Sequence, residues 1–114
     1  MTINEDLSEI FEELNIPAEA GGRSDDNISE YVVINAIYDD YLYRDDSPLY
    51  VVRSAAIQFF TKSNYIKKKN NIIKKLLEND FYIKSSELIS KDEDGFFFYE
   101  IEVEKSYLFS EEEL

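Results

Sequence analysis

The chain has neither cysteine nor histidine among its 114 residues. Without cysteine there is no disulfide framework and no thiolate metal site. Without histidine, the side chain most used for acid–base work near neutral pH and for zinc ligation is missing. Glycine is scarce as well, and the pair Gly21-Gly22 does not make a phosphate loop, because no Lys-Ser/Thr follows it and no strand pattern precedes it. No apolar run approaches the roughly 20 residues of a membrane span. The segment Met1–Ala20 is acidic and amphipathic, without the basic start and long apolar stretch of a signal peptide. These absences predict a soluble protein of a reducing cytoplasm, or of an assembly built there.

What is present is apolar and acidic. An apolar fraction of 44% and an aromatic fraction of 15% suffice for a packed core and argue against a wholly disordered acidic chain. The length suits one domain, spanning residues 1–114, that buries roughly two-thirds of its unfolded surface. Twenty-five acids against 12 bases give a net charge of -13. Residues 1–30 hold nine acids and only Arg23, whereas Thr61 to Leu77 carries six lysines and no acid. One reading is a solvated helix face on a protein kept soluble by its charge. The sharper reading is a charge-segregated subunit whose basic helix meets an acidic surface of a neighbour. Specific nucleic-acid binding by these lysines is disfavoured: the global field is repulsive, and neither Gly nor Arg accompanies them.

Leu7, Ile10, Phe11 and Leu14 follow helical spacing, so a helix is expected over Asn4–Leu14, with Thr2 and Glu5 as a capping box and Asn15 before Ile16-Pro17 as its stop. Residues 18–29 read as a loop. Glu30–Tyr38 and Leu49–Thr61 read as strands, with Tyr41-Leu42-Tyr43 as a short extra strand between the pairs Asp39-Asp40 and Asp45-Asp46. In the second strand Leu49, Val51, Ala55, Ile57 and Phe59 share a face with Arg53, while Tyr50, Val52, Ala56 and Phe60 share the other with Ser54 and Gln58. Both faces are partly apolar, which suggests a central strand covered on each side, by a helix and by another subunit. A second helix is expected from about Asn64 to Asn79, its apolar stripe formed by Tyr65, Ile66, Ile72, Ile73, Leu76 and Leu77. Phe81–Ile89 and Phe96–Tyr107 read as a closing hairpin turned by Asp94-Gly95, and residues 110–114 as a frayed tail.

The carboxylate clusters offer little chemistry. Asp39-Asp40 with Asp45-Asp46 match no calcium-loop spacing, and aspartates beside turns bond their own backbone. Asp92-Glu93-Asp94 is the same kind of solvated turn. Catalysis by paired carboxylates needs a pocket that splits their pKa values, which nothing in the pattern implies. The reading is therefore of a protein that is not an enzyme and carries no cofactor or metal.

The chain resembles the tail-completion proteins of long-tailed bacteriophages, also called tail terminators or head-to-tail joining proteins. The resemblance begins at Phe11–Ala20 (FEELNIPAEA), a helix end running into a Leu-x-Ile-Pro-Ala type segment. It continues through the apolar strand and YDDYLYRDD of Tyr31–Asp46, then Ile57–Thr61 (IQFFT), Lys62–Tyr65, the Leu-Leu of the following helix, Phe81 and the closing hairpin. The acidic Gly21–Ser29 departs from relatives, which often carry basic or proline-bearing residues there. The resemblance implies an α+β fold: a mixed, mostly antiparallel sheet of about four strands, an N-terminal and a central helix on one face, and a C-terminal β-hairpin. It also implies a structural role without catalysis. Members form a ring, commonly hexameric, that caps the finished tail tube and joins it to the head connector. The implied partners are further copies of the chain, the major tail tube protein and the connector, with DNA passing through the ring. The implied location is the tail neck of the virion, after assembly in the host cytoplasm.

A ring needs two unlike patches per subunit. The residues expected to supply them are Lys67, Lys68, Lys69, Lys74 and Lys75 on one side and Asp39, Asp40, Asp45 and Asp46 on the other. The competing readings are an acidic DNA mimic that inhibits a nucleic-acid enzyme, and a small acidic module that binds one protein partner.

Overall fold

The computed structural model describes residues 2–19, 29–45 and 47–108. The expected loop, apart from its ends, falls outside them, as do Gly21-Gly22, Asp46 and the tail at 110–114. Helix α1 (Ile3–Glu13) starts at Thr2, whose Oγ1 accepts from the Glu5 N–H at 3.1 Å. Helix α2 (Tyr65–Glu78) starts at Asn64, whose Oδ1 accepts from the Lys67 N–H at 3.3 Å. Both helices stop in the same way. Asn15 and Asp80 take φ of 59° and 67°, and the next residue, Ile16 or Phe81, returns its N–H to a carbonyl five residues back, on Phe11 or Leu76. Ile16 and Phe81 are buried, so each stop also seats an apolar side chain on the core.

The strands are β1 (Ala18–Glu19), β2 (Glu30–Arg44), β3 (Ser47–Thr61), β4 (Tyr82–Lys91) and β5 (Phe97–Leu108). They form one sheet in the order β1-β2-β3-β5-β4. The two-residue β1 runs parallel to β2, and every other pairing is antiparallel. The architecture is thus α+β with a mixed, mostly antiparallel sheet. Tyr41–Tyr43 is not a separate strand. It belongs to β2, because Asp39 and Asp40 stay in register with Arg53 and Val52 and the pairing continues past them through Tyr41↔Val51 and Leu42↔Tyr50, slipping only before Tyr43.

Both helices pack on one face of the sheet. Ile3, Leu7, Ile10 and Phe11 of α1 and Ile72 and Leu76 of α2 meet Val32, Ala55, Ile57, Phe59, Tyr99, Ile101 and Val103 in one buried cluster. Odd-numbered residues of β3 and β5 point into this core because those strands pair without a slip from Tyr50↔Leu108 to Thr61↔Phe97. Elsewhere the ladder slips four times, leaving Ile37, Leu49, Lys84 and Ile89 as the extra residues of β-bulges. Leu49 therefore leaves the core face and is exposed, contrary to the alternation of its strand.

Two expectations for the helix and the hairpin also change. Ile66 and Leu77 do not join the buried stripe of α2 and are 53% and 57% exposed. Asp94-Gly95 sits in a five-residue connection, Asp92–Phe96, where Asp92 Oδ1 accepts from the Phe96 N–H at 2.9 Å and Gly95 has φ of 90°. A two-residue turn would have needed the strands to pair up to Glu93, but pairing ends at Lys91↔Phe97.

Candidate assembly surfaces

The five lysines of α2 do not act as one patch. Lys68 Nζ meets Glu30 Oε1 at 2.8 Å, and Lys75 Nζ meets Glu13 Oε2 at 2.6 Å. The bond to Glu13 and its charge raise the Lys75 pKa above the ordinary lysine value. Lys69 Nζ lies 5.6 Å from the centroid of the Tyr99 ring. Three of the five therefore tie α2 to its own molecule. Lys67 and Lys74 remain on the outer face of the helix, both exposed. At 3.6 residues per turn they share that face with Ile66, Asn70 and Leu77. The outward surface of α2 is thus a ridge, apolar at each end and basic between, with Glu78 at its border.

The aspartates divide as well. Asp39 points to the helix side, with Oδ1 3.9 Å from Nε of Arg53, which itself lies over the Tyr107 ring at 5.1 Å. Asp40 is on the opposite face, paired with Val52, and Asp45 sits at the hairpin tip with φ of 57°. Asp46 is outside the described residues. The expected lysine and aspartate sets are therefore not two continuous surfaces.

The face of the sheet away from the helices, the one on which the apolar residues of the central strand predict a further subunit, is better organised. The register places Asp40, Glu87, Glu100, Glu102 and Glu104 there. Lys84 lies among them, and Lys62 sits at one end of the face, over the Phe96 ring at 4.8 Å. Glu87 stands directly opposite Glu100, a like-charge pair that costs stability unless a cation covers it. One end of this face is an aromatic stack in which Tyr31, Phe60 and Phe98 follow one another at centroid spacings of 4.7 Å. Toward the other end, Tyr38, Ser54, Glu104 and Tyr82 form one row across four strands, and Leu42, Tyr50 and Leu108 form a second. All five of the apolar and tyrosyl side chains Tyr38, Leu42, Tyr50, Tyr82 and Leu108 are exposed. Neither of the described helices covers this face.

The bulge at Lys84 turns that side chain onto this face, where Nζ donates to the Tyr38 hydroxyl at 3.0 Å and lies 3.7 Å and 4.0 Å from Glu102 and Glu104. The bond with Tyr38 and the two carboxylates raise the Lys84 pKa. The Ser54 hydroxyl beside the phenol, and then Lys84, lower that of Tyr38. The Ser54–phenol contact falls short of hydrogen-bond geometry, so Ser54 Oγ is buried without a partner. A serine, a tyrosine and a lysine in contact are the ingredients of several catalytic sites, but this serine is only 1% exposed and no substrate can reach it. A depression of about 320 Å³ nearby is lined by Val52, Asp80, Tyr82, Glu104, Lys105 and Ser106. Its one lysine, Lys105, is held by the Asp6 carboxylate. Among the described residues, no three acidic side chains are placed to share a metal ion. No described helix is long and apolar enough to cross a membrane.

Part of this face is legible in the sequence. Glu100, Glu102 and Glu104 alternate along one strand, and Glu87 is the acid of its hairpin partner. Placing Lys84 among them required knowledge of the bulge. No protein-family model matches the chain, and no curated protein matches it either.

Proposed function

We propose that the chain is a structural subunit of a phage or prophage tail, closing the finished tail tube and joining it to the head connector as a member of a ring. The observation that carries this reading is the contrast between two outward faces on opposite sides of one sheet-and-helix sandwich. One is acidic with apolar ends, and the other is basic with apolar ends. Unlike, complementary patches on one chain are what a heterologous contact requires, and a heterologous contact closes into a ring when the rotation allows. The tail role itself rests on the resemblance in Phe11–Ala20, Tyr31–Asp46 and Ile57–Thr61. The reading is non-catalytic, and the neck of the virion is the place it implies. Electron microscopy of particles made without this protein should show tubes of uncontrolled length or tails unable to join heads. Normal virions would reject it.

A second reading draws on the spacing of the open face. Glu100, Glu102 and Glu104 recur about 7 Å apart along β5, close to the separation of successive phosphates on a nucleic-acid strand. A DNA mimic would present such a row to a nucleic-acid enzyme. Competition of the purified chain with DNA for that enzyme would favour it over the tail role.

A further inference from the structure

We propose that the outer ridge of α2 in one copy docks on the open sheet face of the next. This rests on the ring-forming reading and names its interface. The argument is the order of chemistry along two lines on the surface. Along α2 the exposed residues run Ile66, Lys67, Asn70, Lys74, Leu77, so that apolar ends about 16 Å apart enclose two cations. Along β5 the open face runs from Phe98 through Glu100 and Glu102 to the Tyr38–Ser54–Glu104–Tyr82 row, so that apolar ends about 20 Å apart enclose the acids. The two lines match in length, in the position of their apolar ends and in the sign of their charges.

Within its own molecule each line is left unsatisfied. Lys67 and Lys74 have no ionic partner among the described residues, whereas Lys68, Lys69 and Lys75 all have a carboxylate or an aromatic ring. Glu87 and Glu100 face each other with no ion pair to either among the described residues, Lys84 being engaged by Tyr38, Glu102 and Glu104. A lysine arriving from outside would neutralise that opposed pair, and Lys67 or Lys74 of a second copy supplies one. The aromatic Phe98 end and the Tyr82 end would at the same time cover Ile66 and Leu77. Because donor and acceptor faces lie on opposite sides of the subunit, the contact is head-to-tail, leaving both faces of every bound pair free at its ends to recruit further copies.

The absence of cysteine makes the test clean. Tyr82→Cys protein is mixed under mild oxidation with Leu77→Cys protein, and separately with Ile66→Cys protein. One of the two mixtures, and not both, should give mixed disulfide dimers several-fold above dimers of either variant with itself. Which mixture does so fixes the direction of the helix on the strand. Mixed dimers no more abundant than same-variant dimers in both mixtures would overturn the docking. A charge swap supplies an independent readout by sedimentation. Lys67→Glu with Lys74→Glu should weaken self-association about tenfold or more. Mixing that variant with Glu87→Lys/Glu100→Lys protein should restore it, and failure of the swap to restore association would count against the contact. The outcome separates from that of the tail role. Cross-links together with normal virions lacking the protein would keep the interface and reject the role. Defective tails without cross-links would keep the role and reject the interface.

Discussion

Asp6 Oδ2 accepts a hydrogen bond from Lys105 Nζ at 2.8 Å, joining the first helix to the last strand across 99 positions of sequence. The Tyr107 hydroxyl donates to the same oxygen at 2.8 Å, and Lys105 also lies over the rings of Phe81 and Tyr107 at 4.9 and 5.5 Å. Asp6 is buried although it lies in the acidic first turn of a helix, where a solvated carboxylate facing the dipole would have been the ordinary expectation.

Replacing Asp6 by Ala leaves Lys105 beside the core without its counter-charge. The loss should be about 2 kcal/mol, below the 3–5 kcal/mol of a fully buried pair because Lys105 keeps some access to water. Thermal unfolding should shift down by roughly 10 °C. Lys105→Met should cost less, since Tyr107 still satisfies Asp6.

The lysines of α2 should separate into two classes in urea unfolding. Lys68→Glu sets a second acid against Glu30, whose side chain is only 19% exposed, and should lower stability by about 1 kcal/mol. Lys67→Glu, on the outer ridge, should leave folding within about 0.5 kcal/mol of the parent chain. Charge reversal across Lys67, Lys68 and Lys69 together would therefore confuse a folding defect with a docking defect.

Gly95 holds φ of 90° in the β4–β5 connection, and a Cβ placed there would meet no atom within 4 Å. The cost of Gly95→Ala is then backbone strain alone, about 1–2 kcal/mol by denaturant titration. Gly95→Asn should cost less, because asparagine tolerates the left-handed region better.

Tyr38 should ionise below the ordinary phenol value, because Ser54 and then Lys84 lower its pKa from 10.0. The difference between near-ultraviolet titrations of the parent chain and Tyr38→Phe should isolate that phase. In Lys84→Met it should move back toward 10.0. The signs confine the change in stability with pH to the alkaline range. The lowered phenol contributes stability above pH 10.0 that fades as pH falls through its folded pKa, while the raised Lys84 contributes below pH 10.5 and loses it as pH rises through its own. Both contributions coincide between those values.

Helix and strand order was legible because apolar spacing and capping residues are local. Thr2, Asn15 and Asn64 each do at their helix ends what their side chains predict. The faces of β2 and β4 were not legible, because a bulge reverses the alternation and nothing local marks Ile37 or Lys84 as the extra residue. The same limit applied to the candidate surfaces. Lysines with helical spacing look alike until Glu30, Glu13 and Tyr99 take up three of them. Ile66 and Leu77 read as core because they border the buried stripe, yet they are rotated outward from Ile72 and Leu76 and are exposed.

The four bulges have a consequence for the margins of the sheet. β4 is an outer strand carrying two of them, and the part of β2 beyond β1 is the other margin, interrupted at Ile37. An incoming extended peptide needs an unbroken row of evenly spaced amides and carbonyls, and the bulges of β4 leave it no run longer than the four residues Ser85–Leu88. The chain can thus associate through side chains while that edge resists the strand-by-strand templating that leads to fibrils.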